Sequence, residues 1–408
     1  MSSTNNKKYT VVLYQAGLGS DHTHFDDTFI KIEKFKRNKH MVFKTEGKNL
    51  IDSFIDMSKF DTDKGYFYGL NTTGYMGKST ELENNFNNII RQIIDILKDN
   101  PNKVLHVRTS LTNSVDFDDG FDSIERQKKK LKYIINALHS YDINVNINLV
   151  GHSQGGLVDI ETAIEMPNLI KNIVSISTPY EPVSFGRDLL YIDRLLKLLK
   201  LGGIITNDNP EILERYENAV ETLVSNNYYN NLKNKWSNLT SRPQLLVITG
   251  TSGHIAKNVF EYVKIGSSGS IRMNFSRKYP FDGVVATHEQ RAIEHDFEIN
   301  FADENLPCFK QKTYIERNCG TSIYDRCKNC QSPYFDFFTS VFEIAMNAMK
   351  GNDPSKNDII KTIMEGVSRG NLTNILHKNY YDIYASEYSH MYLAQHNAAI
   401  LTIMGFVE

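Results

Sequence analysis

Apolar residues follow two rhythms along this chain. In "YTVVLYQAG" (9–17), "KHMVFKTEG" (39–47), "KVLHVRTSL" (103–111), "NVNINLV" (144–150), "IKNIVSIST" (170–178) and "RPQLLVITG" (242–250) they run together or alternate over short stretches. Length and β-branched content predict strands there. In "STELENNFNNIIRQIIDILKDN" (79–100), "DSIERQKKKLKYIINALHS" (122–140) and "GGLVDIETAIEM" (155–166) the apolar positions recur at helical spacing, with Ser79 a candidate cap for the first. "HNAAILTIMGFVE" (396–408) predicts a closing helix. Strands that alternate with helices predict an α/β fold with a mostly parallel central sheet flanked by helices.

Two spans break the alternation. Residues 183–241 contain "RDLLYIDRLLKLLKLGGII", with Leu and Ile at helical spacing and Arg and Lys on the other face. This span reads as a helical cap or lid insertion, although an ordinary core-facing helix has the same pattern. Residues 302–334 hold all four cysteines, Cys308, Cys319, Cys327 and Cys330. Both spans read as insertions on a single domain covering 1–408. In a reducing compartment the cysteine cluster suits a structural zinc ion held by four thiolates; in an oxidising one it suits two disulfides. The spacing matches no zinc-finger pattern closely, and free thiols also fit.

Composition narrows the picture. A net charge of −2 gives no reason to expect a nucleic-acid partner. No apolar run reaches the roughly 18 residues that span a bilayer. The start, "MSSTNNKKYT", is polar and lacks the apolar stretch of a secretory signal. A cytoplasmic location is the simplest expectation, and export without a cleaved signal is compatible with it.

Candidate chemistry centres on "LVGHSQGG" (149–156). Gly151 and Gly155 flank Ser153 in a G-x-S-x-G pattern between a predicted strand and a predicted helix. A sharp strand-to-helix turn exposes a serine hydroxyl above the sheet and needs small neighbours. The helix that follows points its N-terminal N–H groups at the site and favours negative charge there.

With "LYQAGLGS" (13–20) and "FDGVV" (281–285), this segment resembles the α/β-hydrolase family, in particular its lipase-like branch. The likeness runs from about residue 9 to the end, apart from the two insertions. It implies an α/β-hydrolase fold and an order of nucleophile, acid, base. Ser153 is then the nucleophile. The oxyanion donors are the backbone N–H of Gln154 and that of Leu18, although the family's His is replaced by Ala16. Asp282, in "YPFDGVVATHEQ" (279–290), is the acid; Glu181, Asp188 and Asp193 are rivals. His390, ahead of the closing helix, is the base, with His396 next and His288 and His295 behind it. His22 and His24 form an H-x-H that suits loop packing or a metal. The resemblance implies hydrolysis of carboxylic esters, with the lid pointing to lipid esters and a lipid interface. It implies no required cofactor. An acyltransferase, a thioesterase, a membrane-directed phospholipase effector or a non-catalytic binding protein are the alternatives.

Overall fold

The computed structural model describes residues 8–18, 22–37, 66–71, 90–98 except 92 and 96, 104–110, 123–140, 144–183, 218–265 except 220, 269–302, 308–310 and 386–407. The strands are β1 (Lys8–Gln15), β2 (Tyr66–Asn71), β3 (Val104–Ser110), β4 (Asn144–His152), β5 (Ile170–Ile176), β6 (Gln244–Thr251), β7 (Gly253–Ile265), β8 (Gly269–Phe281), β9 (Phe297–Ala302) and β10 (Cys308–Lys310). The helices used below are α1 (Asp26–Arg37), α2 (Ile124–His139), α3 (Gln154–Glu165), α4 (Asn226–Ser237), α5 (Thr287–Gln290) and α6 (Asn397–Val407).

Seven strands form one sheet in the order β2-β3-β1-β4-β5-β6-β9, every neighbouring pair parallel. The pleat of β1 divides the core. Tyr9, Val11 and Leu13 face one side, where α2, α3, α4 and residues 90–97 pack; Val12 and Tyr14 face the other, against α1 and α6. β6 divides in the same way, with Leu245 and Val247 opposite Leu246 and Ile248. A sheet buried on both faces explains why the strands read as apolar runs. Each buried Leu or Ile contributes roughly 1.5–3 kcal/mol.

Polar side chains fix the covering helices to the sheet. Asn148 of β4 and Asn172 of β5 donate to the carbonyls of Val407 and Phe406 at the end of α6, both at 3.3 Å. Trp236 of α4 is fully buried and donates to Glu294 O at 2.8 Å. α4, in the second half of the span read as a cap, thus packs Tyr229, Leu232 and Trp236 into the core as the crossover between β5 and β6. Residues 184–217, with the Leu-rich stretch, lie outside the described residues, as do the predicted strand 39–47 and Ser79. The first strand described after α1 is β2.

β7 and β8 were not expected from the sequence. They pair antiparallel along their whole length, from Gly253↔Phe281 to Ile265↔Gly269. β10 adds to β7 in parallel. This hairpin interrupts the connection between β6 and β9, and its descending strand delivers the chain to Asp282.

Asp159 of α3 has no exposure, and burial raises its carboxyl well above its ordinary pKa of 3.8. With its amide nitrogen turned inward, Gln15 donates to the two carboxyl oxygens at 2.6 and 3.1 Å. As pH rises past its ordinary value, the unfolded chain releases the Asp159 proton while the folded chain keeps it, so this site's contribution to stability falls with pH. Asp159→Asn removes that dependence. Its stability relative to the native protein is expected to increase between about pH 4 and about pH 7, measured by urea unfolding with the fluorescence of Trp236, the chain's single tryptophan. A difference that stays flat across this range would contradict the reading.

Candidate active site

β4 ends at His152 and α3 begins at Gln154, which leaves Ser153 alone in the turn. Its backbone has φ 54° and ψ −122°, a region that costs a non-glycine residue about 1–3 kcal/mol. Hydrogen bonds on both sides hold it there: Ser153 N donates to Ile176 O at 2.9 Å, and Gly156 N to Ser153 O at 3.1 Å. A side chain at Gly155 would collide with the carbonyl of Gln15, so the start of α3 lies directly against the end of β1. This contact brings the β1 loop to the serine. A Cβ on Gly17 would lie 2.8 Å from Ser153 Cβ. Leu18 follows Gly17 and packs partly buried against the core.

His390 comes from the loop ahead of α6. Its Nε2 lies 2.9 Å from Ser153 Oγ and its Nδ1 2.9 Å from Asp282 Oδ2. The three side chains form one hydrogen-bonded line, although His390 is 237 residues from Ser153 and 108 from Asp282. Asp282 is fully buried, as is His390 apart from a sliver of its surface.

The Asp282 carboxylate is saturated with donors. Oδ1 accepts from Val284 N at 3.0 Å and Val285 N at 2.7 Å, so the Asp-Gly turn closes on its own side chain. Gly283 has φ 102°, which the turn demands and only glycine tolerates cheaply. Oδ2 accepts from Gln290 Nε2 at 3.0 Å besides His390. Gln290 also donates to Val285 O and accepts from Gly250 N at 3.3 Å, which ties the acid loop to β6. The sequence reading missed Gln290. It stands at the end of α5, eight residues after the acid, and a single buried Gln carries no motif.

The rival residues lie elsewhere. Glu181 faces Lys233 at 3.4 Å. His396 precedes α6 and its Nε2 lies 3.5 Å from Glu387. His295 bonds Ile293 O and faces Glu298. His288 packs against the ring of Tyr279. His24 stacks on His152 with ring centroids 4.4 Å apart. Asp188 and Asp193 lie outside the described residues, as do Cys319, Cys327 and Cys330, while Cys308 begins β10 opposite His254.

Gln154 occupies the first position of α3, so its backbone N–H belongs to the helix end that has no intrahelical acceptor. Its side chain accepts from Gln127 Nε2 at 3.1 Å. A developing negative charge beside Ser153 Oγ would therefore face a helix N-terminus on one side and the Gly17–Leu18 backbone on the other.

No family model matches the sequence, and no curated protein matches it either. Among solved structures it is similar to the product of gene lin2722 from Listeria innocua, with 13% identity over 72% of this chain and 85% of that one and a TM-score of 0.36. It is similar to Bacillus licheniformis lipase BlEst2 in mature form, with 10% identity over 62% and 69% and a TM-score of 0.28. It is also similar to phospholipase PlaB from Legionella pneumophila, with 10% identity over 91% and 63% and a TM-score of 0.30. Likeness this remote carries no correspondence of residues. The chain has an α/β-hydrolase fold on its own geometry: an all-parallel sheet between helical layers and a strained serine between β4 and α3.

Gln290→Met keeps the side-chain volume and removes every polar contact. It leaves Gly250 N without its acceptor and Asp282 Oδ2 without one donor. A loss of about 1–3 kcal/mol is expected, read from urea unfolding; an unchanged midpoint would show that these contacts contribute nothing net.

Proposed function

We propose that this chain is a serine hydrolase that cleaves carboxylic esters through an acyl-enzyme, with Ser153 as nucleophile, His390 as base and Asp282 as the orienting acid. The observation that carries the reading is the continuous Ser153–His390–Asp282 hydrogen-bonded line at a strained turn. His390 Nε2 takes the Ser153 proton as Oγ attacks the ester carbonyl carbon. The tetrahedral oxyanion accepts from the N–H groups of Leu18 and Gln154, each worth a factor of about 10² to 10³ in rate. His390 then protonates the leaving alcohol, and the same residue deprotonates the water that releases the acid. Asp282 keeps the proton on His390 Nδ1, so that Nε2 is free to accept.

The chemistry needs no cofactor. A structural zinc ion held by Cys308, Cys319, Cys327 and Cys330 stays part of the proposal, as does a cytoplasmic location. The substrate class rests on the amphipathic stretch 187–205, whose Leu-rich face suits a lid over a lipid ester. An acyltransferase or thioesterase would use the same residues and differ only in the acceptor or the leaving group.

A fluorophosphonate probe is expected to label the purified protein and to leave Ser153→Ala unlabelled. Asp282→Asn reverses the donor facing His390 Nδ1 and is expected to lower kcat by roughly 10⁴-fold. Rates on p-nitrophenyl esters that rise with acyl length would support a lipid substrate. No labelling of folded protein, with detergent present, would leave a binding protein on a hydrolase fold.

A further inference from the structure

A buried polar group beside Ser153 takes no part in the proton transfers. His152 ends β4 immediately before Ser153 and is 2% exposed. Its Nε2 lies 2.6 Å from the backbone carbonyl oxygen of His390. A carbonyl only accepts, so Nε2 carries the proton and donates. Nδ1 is then a bare acceptor, buried without a hydrogen-bond partner, on the side where a Cβ added to Gly17 would lie 3.3 Å away. His24 covers one face of the imidazole, with planes 22° apart, and the His390 ring leans against it at 4.9 Å.

The base is therefore held through its backbone from two directions. His390 N–H donates to Asp282 O at 2.8 Å, and its carbonyl accepts from His152. The first bond ties the base to the acid's own residue; the second ties it to the residue that precedes the nucleophile. We infer that His152 is a positioning residue for the reaction: its hydrogen bond to the His390 carbonyl locks the base loop to the nucleophile turn and so sets the Oγ–Nε2 separation. This rests on reading Ser153 and His390 as nucleophile and base.

Two features suit His152 to this role. It is the last residue of β4, paired with Ile176 of β5 and directly after Gly151, which is paired on both sides, so its backbone is held. Burial, with His24 and His390 as neighbours, holds its pKa well below the ordinary histidine value. The neutral donor therefore persists into mild acid, and the two imidazoles that face it never meet a cation there. Asp282, the nearest acid in the line, is turned to the far nitrogen of His390.

The test uses the full chain and two substitutions. His152→Met keeps bulk and loses the donor; His152→Gln loses the ring and keeps an N–H at a similar reach. Both are checked for folding by thermal unfolding, then for fluorophosphonate labelling rate, kcat and KM on one ester. A displacement of the base near 1 Å costs about 10²-fold, so His152→Met is expected to lower kcat and labelling roughly 10- to 100-fold with KM nearly unchanged. His152→Gln is expected to recover most of that loss. A folded His152→Met with native kcat overturns the inference, and so does an equal loss in both variants. If His152→Met does not fold, His152→Gln decides: active supports the inference, folded but slow overturns it. Native protein that resists the probe would sink the reading of the reaction itself, and this role with it.

Discussion

The site depends on holding one serine in a backbone conformation that it would not choose. At φ 54° Ser153 costs about 1–3 kcal/mol, and its side chain makes no capping bond to α3 in return. The surrounding fold offsets that cost. β4 lies between β1 and β5, so the strand leading into the turn is fixed on both edges. Ile176 and Gly156 hold the two ends of the turn, and α3 runs back along the sheet with Leu157, Val158 and Ile160 fully buried. Extending or relaxing the turn would pull that apolar face out of the core. Several buried side chains at roughly 1.5–3 kcal/mol each outweigh the strain.

A second constraint is electrostatic. A carboxylate as deeply buried as Asp282 is costly unless its lone pairs are filled. Here the Asp-Gly turn fills Oδ1 with two backbone donors, and Gln290 and His390 share Oδ2. Asp159 makes the contrast. It too is fully buried, but burial acts on it without a paired cation among the described residues, and its carboxyl is pushed toward the neutral form. Asp282 sits in a turn that aims backbone N–H groups at it, whereas Asp159 sits on the inner face of α3 with the Gln15 amide facing it.

Legibility in the sequence followed locality. β1, β3, β4, β5, β6 and the helices α2, α3 and α6 were readable within a few residues, because each is a short, strongly patterned segment whose burial leaves a period in the chain. The G-x-S-x-G turn was readable because its steric demand falls on adjacent positions. Asp282 and His390 were nameable only through the order that the family resemblance supplies, since no local pattern says that residues 108 apart will meet. The β7–β8 hairpin was missed because its strands mix Lys, Arg, Asn and Ser with apolar residues, and the reading treated its far end only as the approach to the acid loop. Gln290 was not legible, and His152 was legible only as part of the serine turn: each makes a hydrogen bond to a distant carboxylate or backbone group, which no spacing announces.

The position of the hairpin has a structural consequence. The carboxyl ends of parallel strands are where an open α/β sheet presents its reactive groups. Ser153 follows β4, Gly17 follows β1, and Asp282 would be expected close behind β6, yet a hairpin of two 13-residue strands intervenes. Its register brings Phe281 back opposite Gly253, so the chain returns to the sheet edge where it left. Ser252 N donates to Phe281 O at 3.0 Å and closes the base of the hairpin. The hairpin therefore returns the chain beside the end of β6, and Asp282 follows Phe281 there. The same closure explains how the chain carries this hairpin between Ser153 and Asp282 without displacing either, because the hairpin begins and ends on a hydrogen-bonded pair.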